Sequence, residues 1–472
     1  MALVAGIDSS TQATKVEIRD ADSGSLVSSG RALHPPTSPP RSEQDPESWW
    51  TALQAAWSDA GSPTVEAVSV AGQQHGMVVT DELGTPLRPA KLWNDTETAA
   101  DASWLIKKLG STGAWADAVG SVPVASFTIT KLSWLHRTEA DVWARMARVC
   151  LPHDWLTWRL TGRLSTDRGD ASGTGYWSPA GSEYRYDLLE IVGDNVDWPS
   201  VVPPVLAPDE PAGHWDDGTG APVVACGTGD NMAAALGVGL GPGQVALSLG
   251  TSGTAYVVSD RPTADPTGAV AGFADATGRF LPLVCTLNAA KVTDAIARVL
   301  GVDHPRLDRL ALEAPPGAGG LTLLPWFDGE RTPNRPDATG TLVGLRTDVT
   351  RDQLARAAYE GVVCGLLDGL DALDRAGAPV SGARIVLVGG GSRSTAYQRV
   401  VADLSGQVVE VHGDEEQVAK GACVQAAAAL HGISPTEVAA AWKRPPSAEI
   451  EPDPEVDRDA IRAAYGALRD AS

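Results

Sequence analysis

The feature that most constrains this chain is a unit used twice. Val4-Ala5-Gly6-Ile7 reads as a strand, Asp8-Ser9-Ser10-Thr11-Gln12-Ala13-Thr14-Lys15 as a polar turn, and Val16-Glu17-Ile18-Arg19-Asp20 as a second strand. The pattern returns at Val245-Ala246-Leu247-Ser248-Leu249. It breaks into Gly250-Thr251-Ser252-Gly253, resumes as Thr254-Ala255-Tyr256-Val257-Val258 and ends at Asp260. Apolar runs bounded by glycine and small hydroxyl residues specify strands joined by a tight turn. Glycine lets backbone N–H groups close on an anion, and hydroxyls add donors. Either hairpin alone is an ordinary β-turn. Two of them in two halves of one chain are suited to gripping a polyphosphate from opposite sides.

Just before the second hairpin lies Gly227-Thr228-Gly229-Asp230-Asn231, a carboxylate on a glycine-rich turn at the start of an expected helix. A fixed Asp near a phosphate cradle is what phosphoryl transfer to an alcohol requires. Asn231 either caps the helix or shares in substrate contact.

A chain of 472 residues is too long for one core and fits two domains. We place them at 1–240 and 241–472, with Gly241-Pro242-Gly243 at the junction. The net charge of −22 excludes nucleic acid and anionic membrane surfaces as partners. An acidic protein that binds a polyphosphate must use local donors and a divalent cation. The five cysteines are scattered without a C-x-x-C pair, so neither a zinc site nor a disulfide framework is indicated. Met1 leads directly into the first strand, with no basic or apolar leader, and no apolar run is long enough to span a bilayer. A cytoplasmic, reduced protein is expected.

Strands and helices alternate throughout, which argues an α/β fold. Asp45-Pro46-Glu47 opens a helix, and others are expected at 96–109, 131–136, 152–160, 289–300, 351–373, 395–404, 416–430 and 456–468. The strand Val65–Ala71 runs into Gly72-Gln73-Gln74-His75-Gly76, and Arg384–Val388 runs into Gly389-Gly390-Gly391-Ser392. Nucleotides bind at the carboxyl ends of strands in open α/β sheets, and three consecutive glycines favour close backbone approach to a ligand. There is no G-x-x-x-x-G-K-[ST], no H-R-D or D-F-G set, and no G-x-G-x-x-G between strand and helix. P-loop, protein-kinase and Rossmann readings are excluded.

Ser126-Phe127-Thr128-Ile129-Thr130-Lys131-Leu132-Ser133-Trp134-Leu135 resembles the first sequence pattern of the FGGY sugar kinases. Gly340-Thr341-Leu342-Val343-Gly344-Leu345 with Gln353–Glu360 resembles their second, and Leu324–Pro333 is also similar. Gly72–Gly76 and Leu92-Trp93-Asn94-Asp95 are most similar to the members that act on D-xylulose. Two positions depart from the pattern. Ser10 stands where much of the family has Gly, and Thr138 where an acid or amide is usual.

The resemblance runs essentially end to end. It implies a two-domain actin-like ATPase fold (actin/Hsp70/hexokinase, ribonuclease H-like) with an interdomain cleft, and ATP-dependent phosphorylation of a ketose. It implies Asp230 as general base and Gln74, His75, Asp230 and Asn231 as sugar contacts. Asp8 would hold Mg²⁺, largely through water because Mg²⁺ keeps much of its hydration. Ser10, Thr11, Lys15, Gly250, Thr251 and Ser252 would face phosphates, and Gly389, Gly390, Gly391 and Ser392 the nucleoside. Transfer from second-half turns to first-half sugar contacts requires the halves to close on each other. The expected partners are a ketose and ATP, with a homodimer as the assembly if the chain associates.

Of fifteen tryptophans, Trp49, Trp50, Trp57, Trp155 and Trp158 sit at helical spacing and read as core, whereas Trp93 and Trp326 follow strands and are site candidates. Glu330-Arg331 reads as a structural ion pair at the hinge or as a clamp behind the site, with the structural role favoured. Two other readings stand beside the ketose kinase: a kinase for ribulose, a heptulose or glycerol, and a non-catalytic actin-like sugar sensor. Intact Asp8 and Asp230 speak against the sensor.

Overall fold

The computed structural model describes residues 2–216, 220–413 and 416–472. The chain divides into two compact units. The first comprises residues 1–239 together with 260–281 and 415–444. The second comprises 240–259, 282–414 and 445–472. A single cut at 240 therefore leaves out two later segments that pack with the first unit.

In the first unit the Leu3–Ser9 and Ala13–Asp20 strands pair as the expected antiparallel hairpin, with Asp8 opposite Lys15. Leu3–Ser9 then pairs in parallel with Ala67–Gly72, placing Asp8 beside Ala71 and Ser9 beside Gly72. The short strand Thr228–Gly229 joins the other side of Ala67–Gly72, with Thr228 beside Ala71 and Gly229 beside Gly72. Three chain segments thus end at one level on one sheet edge.

The core on one face includes Ile7, Val16, Ile18, Val68 and Val70 against Trp49 and Leu53 of the helix Pro46–Asp59 and Trp155 of Pro152–Thr161. Asp45 caps the former helix and accepts from the Glu47 N–H. Against Leu3–Ser9 lies the helix Gln417–His431, sequence QVAKGACVQAAAALH. Its small residues let backbones meet: a Cβ at Gly6 would lie 2.0 Å from the Ala419 carbonyl oxygen. The same helix packs on Asp230–Val238 through Gly421, Ala233 and Gly237. Local pattern identifies this helix but cannot say which unit it joins.

The second unit repeats the construction. Gln244–Leu249 and Gly253–Tyr256 form an antiparallel hairpin, and Gln244–Leu249 pairs in parallel with Arg384–Val388, Ser248 beside Val388. The turns Gly250–Ser252 and Gly389–Arg393 therefore leave the same edge of one sheet. Beyond Arg384–Val388 the order continues through Val409–Val411 to Ala448–Ile450. The long helix Arg351–Arg375 starts at a capping box in which Thr350 and Gln353 satisfy each other's backbone N–H groups.

Most expected elements fall within a few residues of their predicted places. The helix Thr112–Val119 was not foreseen. Its stretch is rich in Gly, Ala and small polar residues, and its amphipathic stripe is short. Among the described residues no helix is long and apolar enough to cross a membrane.

Candidate active site

The parallel register brings Asp8, the Gly72–His75 turn and Asp230 to one edge of the first unit's sheet. Asp8 ends inside the sheet and is buried. Ser10 Oγ donates to its Oδ1 at 2.6 Å, and Lys15 Nζ lies 3.4 Å from its Oδ2 and 2.7 Å from Glu416 Oε2. Burial pushes the Asp8 carboxyl up, an effect partly offset by Lys15 and Ser10. Thr11 Oγ1 donates to Gln73 Oε1 at 3.2 Å and accepts the Trp93 indole N–H at 2.9 Å, so Trp93 is tied to the first hairpin turn.

Asp230 opens the helix Asp230–Val238 and is half-buried. Asn231 does not cap this helix through its side chain. Its Nδ2 donates to Asp230 Oδ1 at 2.9 Å and to Gln74 Oε1 at 2.8 Å. Burial, then the nearby Asp8 and Asp170 charges, push the Asp230 carboxyl up to about 7. A carboxylate so placed is a far better base near neutral pH than an ordinary Asp, with a reference pKa of ~3.9.

His75 is buried and takes φ +65°. A left-handed conformation at a non-glycine residue costs on the order of 1–3 kcal/mol and marks places where surroundings impose geometry. Here the imposing contacts are visible. The ring lies between Phe127 and Phe273, with centroids 5.1 and 5.5 Å away. Its Nδ1 is 2.8 Å from the Gly173 carbonyl. A carbonyl only accepts, so Nδ1 donates to it and carries a proton. A Cβ at Gly173 would lie 2.4 Å from the ring, so only glycine fits beneath it.

In the second unit, Thr251 is exposed and Ser252 half-buried. The turn docks on the start of the helix Ala290–Leu300, whose Ala290 N–H donates to the Gly250 carbonyl at 2.9 Å. The triple glycine has a partly different cause from the expected ligand approach. Cβ atoms at Gly389 and Gly391 would lie 3.0 Å and 2.7 Å from atoms of Leu249, whereas at Gly390 the nearest atom is at 4.0 Å. The fold itself requires two of the three, and Gly390 alone faces open space. Ser392 Oγ donates to the Gly389 carbonyl at 2.7 Å, closing this turn. Asp308 holds the next helix, Thr395–Ser405, accepting from Ser394 Oγ at 2.7 Å and from the Thr395 N–H at 3.0 Å. Nothing in the local sequence marks Asp308 for that task.

Two side readings are corrected. Trp326 is only 2% exposed and is a core residue. Glu330 accepts the Leu287 and Arg331 backbone N–H groups and the Asn288 side chain, and among the described residues no ion pair joins it to the Arg331 guanidinium. Among the described residues the one trio of clustered ligand atoms is Glu43, Asp95 and Glu97. Lys91 Nζ lies 3.3, 2.9 and 2.5 Å from them and supplies the cation, so this is an ion-pair cluster.

Comparison with known proteins identifies the family. Residues 3–237 match the N-terminal domain of the FGGY family of carbohydrate kinases, and residues 245–430 match its C-terminal domain. The chain is 48% identical to the xylulose kinase of Streptomyces coelicolor, covering 100% of this chain and 96% of that protein. It is equally similar to the xylulose kinase of Streptomyces rubiginosus, with the same coverage. The crystal structure of xylulose kinase from Bifidobacterium adolescentis superposes with a TM-score of 0.88 at 41% identity, covering 99% of both chains. This chain therefore belongs to the FGGY family of carbohydrate kinases and has its actin-like ATPase fold.

Proposed function

We propose that this protein transfers the γ-phosphoryl group of ATP to D-xylulose, giving D-xylulose 5-phosphate in the cytoplasm. The single observation that supports the chemistry is Asp230. It is a half-buried carboxylate held by Asn231, with its pKa pushed up to about 7, on the edge that also carries His75 and Asp8. The full-length likeness to xylulose kinases supports the acceptor.

Asp230 takes the proton of the attacking hydroxyl as its oxygen bonds to the γ-phosphorus and ADP departs. A loose transition state needs that proton removed late, so a base near pKa 7 suffices. His75 contacts a ketose hydroxyl, and Asn231 and Gln74 keep Asp230 oriented. Gly250, Thr251 and Ser252 offer phosphate donors, and Gly390 and its neighbours border the nucleoside.

Asp8 fits a Mg²⁺ site by its chemistry. It is a buried hard carboxylate beside a second carboxylate, Asp230, whose mutual repulsion a divalent cation relieves. When bound, the ion supplies positive charge to the phosphates. Ser10 and Lys15, which contact the two Asp8 oxygens, would hold the carboxylate in place for it.

The test is a ketose and polyol panel with Mg·ATP, reading ADP release and the phosphorylated carbon by NMR. ADP release with D-xylulose, at a kcat/KM above those for ribulose, heptuloses and glycerol, is expected. Preference for another acceptor would overturn the substrate assignment.

A further inference from the structure

Behind the first unit's sheet edge lies a buried cluster that the proposed reaction does not use directly. His153, Asp154, Asp167 and Asp170 are all buried. His153 stands in the first turn of the helix Pro152–Thr161. Its Nδ1 is 2.9 Å from Asp170 Oδ2, and its Nε2 is 3.2 Å from Asp154 Oδ1 and 3.5 Å from Asp167 Oδ1. Nδ1 donates to Asp170, while Nε2 is within ion-pair distance of two carboxylates without hydrogen-bonding either, and negative charge on both sides of the ring favours the imidazolium. Burial alone would push this imidazole down. The three carboxylates outweigh burial and raise it to about 9.

Two of these carboxylates reach the turns that carry the candidate site. Burial raises the Asp170 pKa, and the carboxyl lies close enough to the His75 backbone N–H and the Gln74 side chain for both to lower it in part. Gly173, whose carbonyl accepts from His75 Nδ1, donates its N–H to the Asp170 carbonyl at 2.9 Å. Asp167 accepts the Thr228 hydroxyl at 2.8 Å, two residues before Asp230. It also accepts the Gly169 and Asp170 N–H groups at 2.7 and 3.1 Å, which holds Asp170 in place. The His153 side chain is wedged between the same two turns. A Cβ at Gly72 would lie 2.8 Å from His153 Cβ, and one at Gly227 would lie 2.7 Å from His153 Cδ2.

We propose that His153 is a positioning residue for phosphoryl transfer: through Asp170 it fixes the turn bearing Gln74 and His75, and through Asp167 and Thr228 it fixes the turn bearing Asp230. The spacing between base and sugar contacts is then set by one ion cluster. This rests on the roles given above to Asp230 and His75. A neutral residue at 153 leaves three buried carboxylates without a counter-charge. They answer by taking up protons, which turns acceptors for His75 and Thr228 into groups that must also donate.

The test uses the full chain. In His153→Gln, kcat should fall on the order of 10–100-fold with KM for ATP unchanged, because a misplacement of about 1 Å can cost ~10²-fold. Thr228→Val, which cuts only the Asp167 link, should lower kcat less, and Thr228→Ser should restore it. A folded His153→Gln with wild-type kcat would overturn the proposal. So would a Thr228→Val enzyme indistinguishable from Thr228→Ser, a pair that decides the matter if His153→Gln does not fold. Nitrogen-15 NMR of the resting wild-type protein gives a readout without turnover. Both His153 ring nitrogens should be protonated at neutral pH, and a neutral ring would contradict the cluster as described. Absence of ADP release with every ketose would instead overturn the functional reading and leave the ring signals standing.

Discussion

The two units build the same edge and put different chemistry on it. Each has an antiparallel hairpin whose first strand pairs in parallel with a later strand, so two turns leave the sheet side by side. In the first unit that edge carries Asp8 and Asp230, with Asp170 close behind and His153 as counter-charge. In the second unit the turns Gly250–Ser252 and Gly389–Ser392 hold glycine and hydroxyl residues, the second followed by the cationic Arg393, and no carboxylate. The comparison teaches that the fold supplies an edge and the residues decide its task. Clustered buried acids raise one another's pKa, which suits the base and cation-ligand roles proposed for Asp230 and Asp8. Uncharged donors on glycine turns suit an anion, which buried acids would repel.

The largest break in this comparison comes from removing the base. Asp230→Asn should fold normally, by circular dichroism and thermal melting, and lose ~10²–10⁴-fold in kcat. Retention of more than a third of wild-type turnover would place the base elsewhere.

His75→Ala comes next. Loss of one buried hydrogen bond costs ~1–3 kcal/mol, so KM for the ketose should rise roughly 5- to 150-fold. KM for ATP should stay near wild type, and equal changes in both would move His75 out of the sugar site. Asp8→Ala sharpens the cation side. It should raise the Mg²⁺ concentration needed for half-maximal rate roughly tenfold or more, ~1.4 kcal/mol, while calorimetry finds ketose binding retained. Lost ketose binding with normal Mg²⁺ dependence would contradict it.

The smallest effect probes the uncharged edge. Gly390→Ala should leave thermal stability unchanged because a Cβ there meets open space. It should raise KM for ATP a few-fold, under ~1 kcal/mol, and spare the ketose. Gly389→Ala, at φ +80° against Leu249, should instead destabilise the protein.

The parts of this comparison that could be read from sequence are those written in local pattern. Both hairpins, the Gly227–Asn231 turn and the strand into the triple glycine follow from alternation and from small residues at turns. What could not be read depends on pairing between distant segments. Asp167 and Asp170 share one capped turn, but His153 stands on a separate helix and no motif in the sequence ties it to them. Asp308 is likewise remote from the Thr395 N-terminus that it holds. Gln417–His431 is plainly a helix, but only its contacts with Gly6 and with Asp230–Val238 assign it to the first unit. The triple glycine was read as ligand approach because sequence cannot show that Leu249 already demands two of the three.

The central claim is that the acidic edge makes Asp230 a base tuned near neutrality, and the pH dependence of kcat/KM for the ketose tests it most directly. Asp230 must be ionised to accept the hydroxyl proton. Its pKa in the metal-free chain is raised to about 7 by burial first and then by Asp8 and Asp170; Mg²⁺ at Asp8 offsets the Asp8 part and leaves burial as the main cause, so the active fraction grows with pH above the ordinary Asp range. The account predicts a plateau above that value and a tenfold loss per pH unit well below it, a limb that is lost in Asp230→Asn. A kcat/KM that stays flat down to about pH 5, as an ordinary Asp with pKa ~3.9 would give, would contradict it.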